Sequence, residues 1–178
     1  MAQDWERRVD ELVRDRGASL LRYAVLLTGD VAAAEDLVQD AVVATFVRRA
    51  SVRDAAAAEA YVRRVILTRF VDGYRRDRRW RGLHHLLARP EEHPGIEEHA
   101  GGRADVLAAL RTLAPRVRAC VVLRFYEDLT VPEVAARLGL SPGAVKRYLS
   151  DGLRALHVQL GTDADPGDTR WVIEVSKP

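Results

Sequence analysis

The run TVPEVAARLGLSPGAVKRYLS, residues 130–150, constrains the fold more than any other part of the chain. Thr130 followed three residues later by Glu133 is a capping box: each side chain can satisfy a backbone N–H that the first helical turn leaves open. Pro132 falls in that first turn, where a missing N–H costs little. Gly139 suits the left-handed residue that ends a helix, and Leu140 can plug the turn. Ser141 then caps a second helix, and Pro142 opens it. Two helices joined by so short a glycine-bearing turn make a helix-turn-helix.

The second helix can be phased. Val145, Leu149, Leu153 and Leu156 share one face and are expected to be buried, while Gly143, Arg147, Ser150 and Arg154 point the other way. A small, basic and polar outer face is what a helix entering a DNA major groove requires. Lys146 lies on one flank, within reach of phosphate, and Asp151 on the other. The competing description is two packed helices with a solvated face. Upstream, DVLAALRTLAP reads as a helix stopped at Pro115, which itself begins the next, PRVRACVVLRFYEDL. The single cysteine, Cys120, lies in the apolar run ACVVL and reads as core; alone, it excludes an internal disulfide.

The first half of the chain is also helical in pattern. DWERRVDELVRDRGASLLRYAVLLTGD has apolar residues at helical spacing, and TGD at 28–30 marks a stop and a restart capped by Asp30. The next helix carries a core stripe of Ala34, Leu37, Val38, Ala41, Val42, Thr45 and Phe46, with Glu35, Asp36, Gln39 and Asp40 gathered opposite. A third, about residues 55–76, buries Val62, Val65, Ile66 and Phe70 and runs into YRRDRRWRG at 74–82. The expected class is all-α: two small helical domains, residues 4–82 and 103–160, joined by a flexible linker at 83–102 and followed by a tail at 161–178.

Charge is distributed unevenly between these pieces. Residues 61–82 hold eight arginines against two aspartates, whereas residues 83–105 hold five acids against two arginines. That asymmetry points to an anionic partner for the first segment alone. His84, His85, His93 and His99 sit in the linker with no compact ligand spacing, so no metal or other cofactor is expected. There is no nucleophile–base pair and no phosphate-cradling glycine loop, so no enzyme activity is expected either. No apolar run approaches a membrane span and the N-terminus is charged, which suggests a cytoplasmic protein without membrane insertion.

Three stretches together resemble the bacterial sigma-70 family of RNA polymerase sigma factors, in the small extracytoplasmic-function type and its actinobacterial sigma-E-like branch. AAEDLVQDAVVATF is similar to the polymerase-binding helix of region 2. AYVRRVILTRFVDGYRRDRRW looks like the adjoining segment that melts promoter DNA and reads its −10 element. LAPRVRACVVLRFYEDLTVPEVAARLGLSPGAVKRYLS looks like region 4, which reads the −35 element. No block separates the two pieces and no acidic regulatory domain precedes them, the layout of the extracytoplasmic-function type.

The resemblance implies that Glu35, Asp36, Gln39 and Asp40 meet core RNA polymerase. It implies −10 and melting contacts from Tyr61, Arg63, Arg64, Thr68, Arg69, Tyr74, Arg75, Arg76, Arg78, Arg79 and Trp80, the arginines on phosphate and the aromatics on unpaired bases. A flipped base would be pocketed by the loop at 48–60. The −35 contacts would come from Ser141, Gly143, Ala144, Lys146, Arg147, Ser150 and Arg154. It further implies an anti-sigma factor as partner. Val42, Thr68 and Asp151 depart from residues common at these positions in the family. A rival function is a free-standing helix-turn-helix regulator that binds duplex DNA without polymerase. The tail ends in RWVIEV, whose alternation fits either a short strand packed on the body or on a partner, or a disordered end.

Overall fold

The computed structural model describes residues 2–47, 55–83 and 103–160. These form seven helices and no strand: α1 (Ala2–Thr28), α2 (Val31–Val47), α3 (Ala55–Leu83), α4 (Arg103–Thr112), α5 (Pro115–Phe125), α6 (Val131–Leu138) and α7 (Pro142–Leu160). Helices α1, α2 and α3 pack on one another as one unit, and α4, α5, α6 and α7 as a second. The all-α expectation of two helical units holds. Residues 84–102 and 161–178, which include the linker histidines and the tail, lie outside the described residues.

The break between α1 and α2 follows from three residues. Gly29 takes a left-handed φ of 76° and donates its N–H to Val25 O at 2.7 Å. Asp30 Oδ1 accepts the Ala33 N–H at 2.8 Å, the cap its position implies. The core of this unit is Leu20, Tyr23, Ala24 and Leu27 of α1, Ala34 and Ala41 of α2, and Val62, Ile66 and Leu67 of α3. Thr45 is buried in the apolar stripe without an orphaned hydroxyl, because its Oγ1 donates to Ala41 O at 2.7 Å. The side chain of Phe46 lies outside the described residues. Helix α3 begins at Ala55, so the second half of the expected loop at 48–60 is helical.

In the second unit α5 is the central element, buried continuously from Arg118 to Leu123. Cys120 is fully buried, and burial pushes its thiol up to about 11, as a core cysteine requires. The turn chemistry from α5 into α7 is as the sequence implies. Thr130 donates to Glu133 Oε2 from its N–H at 2.7 Å and from its hydroxyl at 2.6 Å. Those bonds hold the Glu133 carboxyl below its usual range. Gly139 is left-handed at φ 62°, the Leu140 N–H returns to Ala135 O at 2.9 Å, and the Ala144 N–H reaches Ser141 Oγ at 3.2 Å.

Val145, Leu149 and Leu156 are buried as phased, but Leu153 is only partly so, and the seam runs through Gly152 instead. A Cβ at Gly152 would lie 2.9 Å from both Val117 Cγ1 and Val121 Cγ2. The glycine is thus what lets α7 close onto α5. Gly152→Ala should destabilise the chain by about 1–3 kcal/mol through overpacking, despite a gain of up to about 1 kcal/mol in helix propensity. A urea melt checks this; a more stable variant would contradict the close contact.

Candidate functional site

The outer face of α7 is open to solvent. Ser141, Gly143, Lys146, Arg147, Ser150 and Arg154 are exposed, and Ala144 is half-buried. Arg147 lies over its neighbour Tyr148, 5.4 Å from the ring centroid, and neither it nor Lys146 has an ion-pair partner among the described residues. Arg154 approaches Asp151 at 3.8 Å, a loose surface pair that DNA phosphates could displace at little cost. The helix that carries this face is positioned by the capped turn and by the buried seam beneath it.

A second exposed face lies on α2. Glu35, Asp36, Gln39 and Asp40 all reach solvent, and Val43, 54% exposed, lies one turn beyond Gln39. An exposed valine bordered by three carboxylates suits a partner that is basic with an apolar centre. Asp40 Oδ2 pairs with Arg69 Nη1 of α3 at 2.7 Å, so the acidic face adjoins the arginine-bearing one. On α3, Arg64, Thr68 and Arg69 are exposed, and Tyr61 and Tyr74 are half-buried. The Thr68 hydroxyl is occupied locally, donating to Arg64 O at 2.9 Å. The helix backbone continues through Leu83, but the side chains of Arg75, Arg76, Arg78, Arg79 and Trp80 lie outside the described residues.

Arg63 is placed differently from its neighbours. Its guanidinium pairs with Glu59 at 2.8 Å and with Glu127 of the second unit at 3.5 Å. It donates to Ser19 Oγ at 2.7 Å and lies beside the stacked rings of Tyr23 and Tyr126, 5.2 and 5.4 Å from their centroids. Tyr23 is fully buried; burial, then the nearby Glu127 carboxylate, pushes its hydroxyl well above its ordinary range. With the two units packed in this way, Arg63 faces the other unit and not solvent.

The most consequential group outside the sequence-based set is Arg118. It is 7% exposed. Its Nη1 donates to Leu27 O and Thr28 O at 2.8 and 3.0 Å, its Nη2 to Arg111 O and Leu113 O at 2.8 and 3.1 Å. It thereby closes the C-terminal carbonyls of α1, where a cation is favoured by the helix dipole, against the corner between α4 and α5. Burial, then Arg111, lowers its pKa to about 10, so it stays charged at neutral pH. A signal for it exists in the sequence: Val121 and Val122, three and four residues on, are core, which sets Arg118 on the apolar stripe of α5.

Among the described residues no helix is long and apolar enough to cross a membrane. Comparison with known proteins adds independent information. The family profile described as Sigma-70 region 2 matches residues 12–81, and that described as Sigma-70, region 4, matches residues 103–156. The chain is 35% identical to an RNA polymerase sigma-E factor of Streptomyces antibioticus, over 91% of this chain and 89% of that one. It is 32% identical to the ECF RNA polymerase sigma factor SigL of Mycobacterium tuberculosis, over 84% of this chain and 86% of that one. Its fold is similar to the sigma factor RpoE solved in complex with the anti-sigma factor NepR from Bartonella quintana. There the TM-score is 0.64 at 21% identity, over 91% of this chain and 99% of that one.

Proposed function

The chain belongs to the sigma-70 family, in its extracytoplasmic-function branch, and on that premise we propose that it binds core RNA polymerase and directs initiation at defined promoters through two separate exposed faces. The observation that carries the assignment of faces is the solvent-facing cation set of α7, held by a capped helix-turn-helix and free of internal ion pairs at Lys146 and Arg147. Residues 103–160 form the upstream-reading domain and residues 4–82 the polymerase-binding and melting domain.

Arg147, Ser150 and Arg154 read the −35 element in the major groove, with Lys146 on phosphate and Ser141, Gly143 and Ala144 allowing close approach at the helix start. Glu35, Asp36, Gln39 and Asp40 meet a basic surface of the polymerase, where charge sets register and encounter rate. Tyr61, Arg64, Thr68, Arg69 and Tyr74, with Arg75, Arg76, Arg78, Arg79 and Trp80, hold the −10 region as it opens. Arg63 joins them only once the two units separate. An anti-sigma factor, such as the partner of the Bartonella quintana relative, would act on the same two units. The chain contributes recognition, and the chemistry of RNA synthesis stays with the polymerase. A free-standing duplex-binding regulator is not favoured, because it leaves the acidic α2 face without a role.

The expected test is Arg147→Ala in holoenzyme. If the arginine pairs with a guanine, binding weakens by about 1–3 kcal/mol on promoters carrying that base and much less on the rest. Equal loss on all duplexes would mean that Arg147 only touches phosphate.

A further inference from the structure

A cavity of about 240 Å³ lies where the two units meet, and the function above makes no use of it. Its walls are Leu21, Val25 and Leu26 of α1, Leu107 of α4, and Tyr126 just after α5, all apolar apart from the tyrosine hydroxyl. Val31, 53% exposed, stands at its edge. One further lining residue is charged. Arg22 has its Nε buried with no hydrogen-bond partner among the described residues, a costly state for a donor on a cation. The volume is below the roughly 300–1,000 Å³ of small-molecule sites, and fits one large side chain better than a cofactor.

We propose that this cavity is the docking site of the chain's own C-terminal segment RWVIEV, residues 170–175, with the Trp171 indole in the cavity and the Glu174 carboxylate on Arg22. Three observations favour this occupant. The first is chemistry. The segment combines a large aromatic, three β-branched residues and one carboxylate, which match an apolar hole beside a guanidinium whose Nε is buried without a partner among the described residues.

The second is spacing. A polyproline-II backbone, with three residues per turn, returns Glu174 to the face of Trp171 roughly 9 Å further on, so a seated indole leaves the carboxylate at the rim and not in the apolar floor. The third is reach. Helix α7 ends at Leu160 and packs on α4, which supplies Leu107 to the cavity. The ten residues between Leu160 and Trp171 can span roughly 33 Å, about three helix diameters. Because α1 and α4 both line the cavity, a docked tail fastens one unit to the other and holds Arg63 and Arg118 in their contacts across the boundary. Losing the tail would favour the separated arrangement that promoter binding needs.

The test uses the full chain carrying Trp5→Phe and Trp80→Phe, so that Trp171 is the sole tryptophan. No polymerase or promoter is required, so its outcome is separate from that of the assignment above. Docking predicts blue-shifted Trp171 emission and acrylamide quenching several-fold weaker than in a free peptide of residues 161–178. Val31→Arg at the rim should restore full quenching, as should Glu174→Arg. Adding Arg22→Glu to Glu174→Arg should bring the protection back. Quenching in the full chain equal to that of the peptide would overturn the proposal. So would protection that ignores Val31→Arg, or that appears only as protein concentration rises, which would mean the segment pairs with a second copy.

Discussion

Asp36→Arg combined with Asp40→Arg is expected to remove the chain from the core-polymerase fraction in gel filtration while leaving its helical content and melting temperature nearly unchanged. Both carboxylates are exposed, and the one ion pair they make among the described residues, Asp40 to Arg69, has partners 66% and 43% exposed. Such a pair contributes about 0–1 kcal/mol to the fold. Against a basic partner the same two changes replace attraction with like-charge contact, which costs several kcal/mol; about 3 kcal/mol is roughly a hundredfold in affinity. Co-elution at the wild-type ratio would remove the α2 face from the polymerase interface.

Arg118→Met should act the other way, on the protein's own architecture. It keeps most of the side-chain volume but leaves Leu27 O, Thr28 O, Arg111 O and Leu113 O without their shared donor. Removing one partner from a buried charged network costs about 3–5 kcal/mol; partial access of water to the end of α1 sets the expected loss near 3 kcal/mol. The desolvation that lowers the Arg118 pKa to about 10 has a definite sign. A folded-state pKa below the ordinary arginine value means the unfolded chain binds the proton more tightly, so this group's contribution to stability rises as pH climbs above about 10. Urea unfolding gives the free energy, and amide exchange at the end of α1 shows whether the two units part first. A loss within about 0.5 kcal/mol would mark the contact as incidental, as for an ordinary surface change.

The reason this contact matters is geometric. Elements named for positions 35 and 10 before the start site lie about 25 base pairs apart, or about 85 Å along the duplex. A compact chain of this length has a radius of gyration of about 16 Å. On the proposed assignment of faces, with Arg118, Arg63 and Tyr126 holding α1 and α3 against α5, the exposed face of α7 and the arginines of α3 cannot both sit on the two elements. On that assignment, promoter engagement breaks these contacts, at the energetic scale that Arg118→Met measures.

Much of the fold was legible in local chemistry. Asp30, Gly139, Ser141 and the Thr130–Glu133 box act within four residues of themselves, so the residues alone specify the turns they make. The burial of Val145, Leu149 and Leu156 followed from period, whereas Gly152 did not. A glycine contributes nothing to an apolar stripe, and its use appears only when Val117 and Val121 arrive from another helix. The candidate faces on α2 and α7 were legible for the same reason that they are exposed: among the described residues they are engaged by exposed pairs such as Asp40 with Arg69 and Arg154 with Asp151, and not by the core. Arg63 shows the converse. In sequence it is one more arginine in a basic run, and its capture by Glu59, Glu127 and two tyrosines depends on partners up to 64 residues away.

The most direct measurement is run-off transcription by core polymerase on a pool of duplexes with randomised upstream sequence, with and without the chain, reading the 5′ end of every transcript. The account predicts that adding the chain creates starts at a fixed distance downstream of a shared two-part motif, and that Arg147→Ala relaxes only the upstream part. Start positions that are the same with and without the chain, while the chain alone still binds duplex DNA, would contradict it.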